Sequence, residues 1–235
     1  MTKSINNTSL PAAALVAGIA ILTMVICAPF AEIYAYPKLV VPGMAEETTK
    51  NITANKALFI SAIFGYLITF ICDLLASWAL YILLKPVNEN LSLLTAWFRL
   101  VYTIIALVAL LNLVTVLWLI NNPASTTLFD SNRLNTQVQL HLITFKSGFH
   151  FGILFFSIHL GLLGYLVFRS KYIPRIMGVL LIVSGFGYLM TSLKPFLFPT
   201  IRLDFAVYTF YGELIFMLWL LIKGSRIQDS KPISV

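Results

Sequence analysis

From Leu91 to Ile120 the chain carries one charged residue, Arg99, in an otherwise apolar run. A soluble domain has little use for such a stretch. About 20 apolar residues in an α-helix cross the ~30 Å hydrocarbon core of a bilayer, and a helix satisfies its own backbone groups there. Five further segments have the same character, at residues of about 11–33, 57–84, 141–168, 174–198 and 204–222. They predict an all-α class: a polytopic integral membrane helical bundle of six transmembrane helices, forming a single domain over 1–235. Charged residues make up 11% of the chain, against about 25% in a soluble domain, so most of the surface has to meet lipid.

Six spans place both termini on one side. The basic residues Lys3, Lys85, Arg169, Lys171, Arg175, Lys223, Arg226 and Lys231 fall on that side, opposed by Glu89 and Asp229. The other side holds Lys38, Lys50, Lys56, Arg133 and Arg202, with Lys194 at its edge. The positive-inside bias therefore predicts cytoplasmic termini. It also accounts for the net charge of +7, because no basic run with interleaved aromatics lies outside the apolar segments. Nucleic acid is excluded as a partner on that ground. The first segment exceeds the usual h-region of about 7–15 residues and reads as an uncleaved anchor.

The connections are short. Residues 36–56 form an external loop with a turn at Pro42-Gly43, followed by a short interfacial helix with acidic residues early and lysines late. Residues 121–139 form a second external loop, turning at Asn122-Pro123, and Pro174 opens the fifth helix.

All three histidines sit in the fourth segment. An α-helix turns about 100° per residue, so the spacing of nine sets His150 roughly 180° from His141 and His159. His141, Phe145, Gly148, Gly152, Phe155 and His159 share one face; Lys146, His150, Ser157, Gly161 and Gly164 share the other. Neither face is purely apolar, so both are expected to pack on protein, and Gly148-x-x-x-Gly152 permits a close approach.

Glu32, Asp73, Arg99, Lys146, Lys194 and Glu213 lie in or at the edges of apolar spans. A central Asp, Lys or Arg costs about 2.5–3.5 kcal/mol on insertion, so pairing or a wet interior is expected. Asp73 lies ~16 Å and Arg99 ~12 Å from the same face by helical rise, within reach of each other. With His150, His159 and Glu213 they form the expected buried polar pocket. Glu32, His141, Lys146 and Lys194 form an expected outer polar cluster. The alternative meaning of such groups is structural: a buried pair can register helices without any part in turnover, and a histidine can simply be hydrogen-bonded.

The catalytic inventory is thin. No H-x-x-x-H or H-E-x-x-H occurs, Ser157 and Ser192 lack a G-x-S-x-G elbow, and Cys27 and Cys72 lie alone in apolar segments. No metal site, cofactor or catalytic residue is assigned, although His150 with Glu213 remains an open ligand pair. Two functional classes follow. One is a non-enzymatic transporter, sensor or accessory protein using a buried ionisable pocket; the other is a membrane-embedded enzyme acting on lipid or another apolar substrate. Membrane lipids, and a small-molecule or lipid ligand within the bundle, are the expected partners.

Several fragments in order carry a resemblance. They are Glu32 before Leu39-Val-Val-Pro42-Gly43, Asp73 before Tyr81-Ile-Leu-Leu-Lys85-Pro86-Val87-Asn88, and Phe98-Arg99. Phe149-His150-Phe-Gly152, His159-Leu160, Arg169-Ser-Lys-Tyr-Ile-Pro174-Arg175, Gly212-Glu213 and Trp219-Leu-Leu-Ile-Lys223-Gly224 follow. Together the chain resembles the bacterial membrane proteins gathered as domain of unknown function (DUF) 4386. Thr191-Ser192 departs from the acidic residue associated with that position. The resemblance implies a multi-pass protein of the bacterial inner membrane and no particular reaction.

Overall fold

The computed structural model describes residues 8–122, 130–197 and 206–227. Expectations resting on Lys3, Pro123, Arg202, Asp204, Asp229 and Lys231 lie outside them. Among the described residues every regular element is helical: α1 (Leu10–Leu39), α2 (Ala45–Ala54), α3 (Lys56–Leu84), α4 (Glu89–Asn121), α5 (Ser131–Arg169), α6 (Arg175–Leu197), α7 (Ala206–Thr209) and α8 (Tyr211–Lys223). Five of these, α1, α3, α4, α5 and α6, are long and apolar enough to cross a membrane. The sixth expected span is represented by α7 and the 13 residues of α8, a helix of ~20 Å by its rise.

Two boundaries differ from the sequence reading. The first helix continues to Leu39 rather than ending near residue 33, through a π-helical stretch at Phe30–Ala35 in which the Tyr36 N–H bonds the Ala31 carbonyl. Pro37 explains the widening: it has no N–H to return to the preceding turn, and its ring crowds that turn's carbonyl. The fourth helix begins at Ser131, inside the stretch expected to be loop. Asp130 caps it, its carboxylate accepting the Arg133 N–H at 2.8 Å and its carbonyl accepting the Leu134 N–H at 3.0 Å.

The chain divides into two compact units, to which α1, α3, α4 and α5 each contribute a part. The first, here the Arg99 unit, comprises residues 1–22, 72–102 and 153–235. Glycines set its packing. A Cβ at Gly178 would lie 2.5 Å from the Gly164 carbonyl oxygen and 2.6 Å from the Phe168 nitrogen, so α5 and α6 meet backbone to backbone. A Cβ at Gly18 would meet Leu221 at 2.9 Å, and one at Gly224 would meet Ala14 at 2.7 Å, which draws α8 against the start of α1. Hydroxyls tie α3 to α4: Ser77 donates to the Ala96 carbonyl at 3.0 Å and Ser92 to the Tyr81 carbonyl at 3.0 Å. In the turn before α6, the Tyr172 hydroxyl donates to the Leu83 carbonyl at 2.5 Å. Burial pushes that phenol up to about 12.

The second, the Glu32 unit, comprises residues 23–71 and 103–152. Phe59, Tyr66, Phe70 and Phe145 are buried in it, as are Leu113, Val116, Val138 and Leu142, and Tyr66 packs on Phe70 and Phe145. Gly65 lets α3 approach the α1 backbone, a Cβ there lying 3.3 Å from the Cys27 carbonyl oxygen, and Gly148 lets α5 approach Ala109 of α4. The short helix α2 buries Thr48, Thr49 and Ile52 and exposes the Glu46–Lys50 pair. Thr48 also bonds both the N–H and the carbonyl of Val41.

Candidate functional site

In the Arg99 unit, three successive long helices present one ionisable group each to a common point. Arg99 of α4 donates from Nε at 2.9 Å and from Nη2 at 2.6 Å to Oδ1 of Asp73 on α3. Its Nη1 lies 3.2 Å from Nε2 of His159 on α5. The other ring nitrogen, Nδ1, lies 2.9 Å from the Thr95 carbonyl oxygen. A carbonyl only accepts, so Nδ1 carries the hydrogen, and Nε2 is the bare lone pair that accepts from Arg99. The imidazole is thus held neutral, one tautomer fixed by both neighbours. Asp73 and Arg99 are each 2% exposed and His159 1%.

An aromatic group flanks these charges. The Arg99 guanidinium lies 5.3 Å from the Phe156 ring centre, a cation–π distance, and Phe156 packs on Tyr102, His159 and Tyr188. Glu213 of α8, half-buried, hydrogen-bonds Tyr188 and lies within electrostatic reach of Arg99 and Asp73. The crevice beside His159, lined by Ser77, Ser92 and Thr95 among others, leaves no room for a water molecule. Ser192 Oγ is fully buried with no hydrogen-bond partner. The arrangement can hold charge and fix helix register. All three side chains are closed off from the surface by their burial.

The Glu32 unit holds a different kind of cluster. Glu32 stands on the π-helical stretch of α1, and its carboxylate is shared: Lys146 of α5 pairs with Oε1, and the Tyr66 hydroxyl of α3 donates to Oε2 at 2.5 Å. The Lys146 ammonium lies 4.0 Å from the Tyr36 ring centre. Tyr66 is wedged edge-on against Phe145 at 5.0 Å. This ion pair is only partly covered, Lys146 retaining 24% and Glu32 38% side-chain exposure.

The expected groupings are thus redistributed. Asp73, Arg99, His159 and Glu213 share one unit, whereas His150 belongs to the other, where its Nδ1 is buried without a partner. Of the outer group, Glu32 and Lys146 are bonded, while the His141 Nδ1 donates to Asn112 Oδ1 at 2.9 Å. Lys194, half-buried in the last turn of α6, lies in the Arg99 unit. Sequence reasoning missed Thr95, Tyr188, Tyr66, Tyr36 and Asn112. Only Asn112, a lone amide in an apolar run, carried a signal. Among the described residues no three His, Cys, Asp or Glu side chains converge as a metal-binding group would.

The model of the family described as Domain of unknown function (DUF4386) matches residues 16–224. A protein of Archaeoglobus fulgidus, described as an uncharacterized protein, is 34% identical over 171 residues, covering 72% of this chain and 88% of that one. No solved structure matches the chain. With a match across nearly all of its apolar helices, this multi-pass membrane chain belongs to the DUF4386 family.

Proposed function

We infer that this protein is a non-enzymatic transporter, sensor or accessory protein of the cell membrane, crossing it six times with both termini in the cytoplasm. The observation that carries the non-enzymatic reading is the closure of the Arg99 cluster. A catalytic acid, base or nucleophile needs an unspent atom within reach of substrate. Here Asp73 is bonded to Arg99 and His159 to Arg99 and Thr95, both are almost wholly buried, and the crevice beside His159 has no space for water. The sixth crossing and the orientation are supported by the basic turns at Lys85 and Arg169–Arg175 and by the apolar α8 leading into Lys223 and Arg226.

Metal analysis and bound-lipid mass spectrometry on the purified protein test this reading. Co-purifying lipid or small molecule without stoichiometric metal is the expected result. Stoichiometric zinc, iron or haem would overturn it in favour of a membrane-embedded enzyme.

A further inference from the structure

The Glu32–Lys146 pair stands inside helices that are otherwise apolar, yet it is incompletely covered. It lies about two turns before α1 ends at Leu39, roughly 10 Å along the axis, and so towards one end of a membrane-spanning helix. A carboxylate and an ammonium side by side in such a place form a partly exposed dipole rather than a net charge. The widened turn at Phe30–Ala35 presents the carboxylate, and helical stretches of this kind recur at functional sites. One turn beyond Lys146 on the same face of α5, His150 holds a buried Nδ1 with no partner. A buried polar atom left unmade costs the protein its desolvation penalty, so a group that arrives to bond it is stabilised.

We propose that Glu32, Lys146 and His150 form a binding site for a zwitterion carrying a primary ammonium and an acid group, as in an aminophospholipid headgroup. The ammonium takes the Glu32 carboxylate, whose orientation Tyr66 fixes. The acid group takes Lys146, seated over the Tyr36 ring, and accepts from His150 Nδ1. Charge bookkeeping selects the class. A zwitterion exchanges one ion pair for two and leaves the site neutral. A simple anion would leave Glu32 without its cation, and a simple cation would leave Lys146 without its anion; each strands a charge at a depth where that is costly. A quaternary ammonium has no N–H to give the carboxylate. The Arg99 cluster has a carboxylate and an imidazole of its own, but Asp73, Arg99 and His159 are almost wholly buried.

The test measures the thermal midpoint of the full-length protein in dodecyl maltoside micelles. Four probes are titrated: phosphatidylethanolamine, phosphatidylcholine, phosphatidylglycerol and soluble glycerophosphoethanolamine. Phosphatidylethanolamine is expected to raise the midpoint in a saturable way, with little effect from phosphatidylcholine or phosphatidylglycerol. A matching rise with glycerophosphoethanolamine assigns the site to a free zwitterion; a rise with the lipid alone assigns it to a membrane headgroup. Lys146→Gln should abolish the shift. His150→Leu removes no partner from the unliganded protein, so its midpoint without probe should not fall, while about tenfold more lipid should be needed for the same shift. Equal shifts with all three lipids, no shift with any probe, or a phosphatidylethanolamine response unchanged in both variants would overturn the assignment.

Discussion

At the scale of single residues, the two ion pairs within apolar helices obey different rules because they differ in burial. Asp73 and Arg99 have no access to water, so neither can lose its partner cheaply. Asp73→Asn should destabilise by about 3–5 kcal/mol, since it removes the carboxylate that takes two hydrogen bonds from a buried guanidinium. Adding Arg99→Gln should recover part of that loss, and denaturation of the four proteins in detergent would expose the coupling. Strict additivity of the two changes would show that the pair is not what holds these helices. Tyr172 supplies a pH-dependent counterpart outside the spans. Its phenol is raised from an ordinary 10.0 to about 12 by burial, so between those values the folded state keeps a proton that the unfolded state has lost. Stability from this residue is complete below pH ~10 and falls as pH rises towards 12. Tyr172→Phe should therefore lose the ~1 kcal/mol of its hydrogen bond to Leu83 at neutral pH. It should also show a shallower decline than wild type across that alkaline window.

At the scale of helices, close approach decides more than apolarity does. Gly178 and Gly164 bring α6 and α5 together through backbone atoms, which cannot move aside as a flexible side chain can. Gly178→Ala should thus cost at least about 1–3 kcal/mol through overpacking. A Cβ at Gly161, only a turn from Gly164, meets nothing within 4 Å, and Gly161→Ala should gain about 0.5–1 kcal/mol of helix stability. Thermal midpoints of the two variants should therefore move in opposite directions. The sequence shows both residues as glycines in apolar helices and cannot distinguish them. The early start of α5 is a case where the signal was present: Asp130 sits at the capping position three residues before Arg133. The polar composition of 121–139 obscured it, because the first two turns of that helix are themselves polar.

At the scale of the whole molecule, the turns after α3 and after α5 share one side by parity, and both are basic. With Cys27 and Cys72 replaced, a membrane-impermeant thiol reagent applied from outside should label cysteines introduced between 121 and 139. It should miss those placed between 169 and 175 and those following Lys223. Labelling after Lys223 would mean that α8 turns back and five crossings are complete. What the sequence determined by itself is the class: apolar runs of about 20 residues or more suit helices, which satisfy their backbone hydrogen bonds within the segment, whereas the strands of a closed barrel need only about 9–11 residues each. Helical rise also put Asp73 and Arg99 at compatible depths, and these two side chains are bonded. Depth is a one-dimensional coordinate, however, and says nothing of azimuth. It grouped His150 with Arg99 and His159, whereas His150 belongs to the unit that holds Glu32 and Lys146. The tertiary structure alone decided which polar groups are closed off and which stay open, because that depends on where glycines let backbones touch and where a π-helical turn holds a carboxylate out.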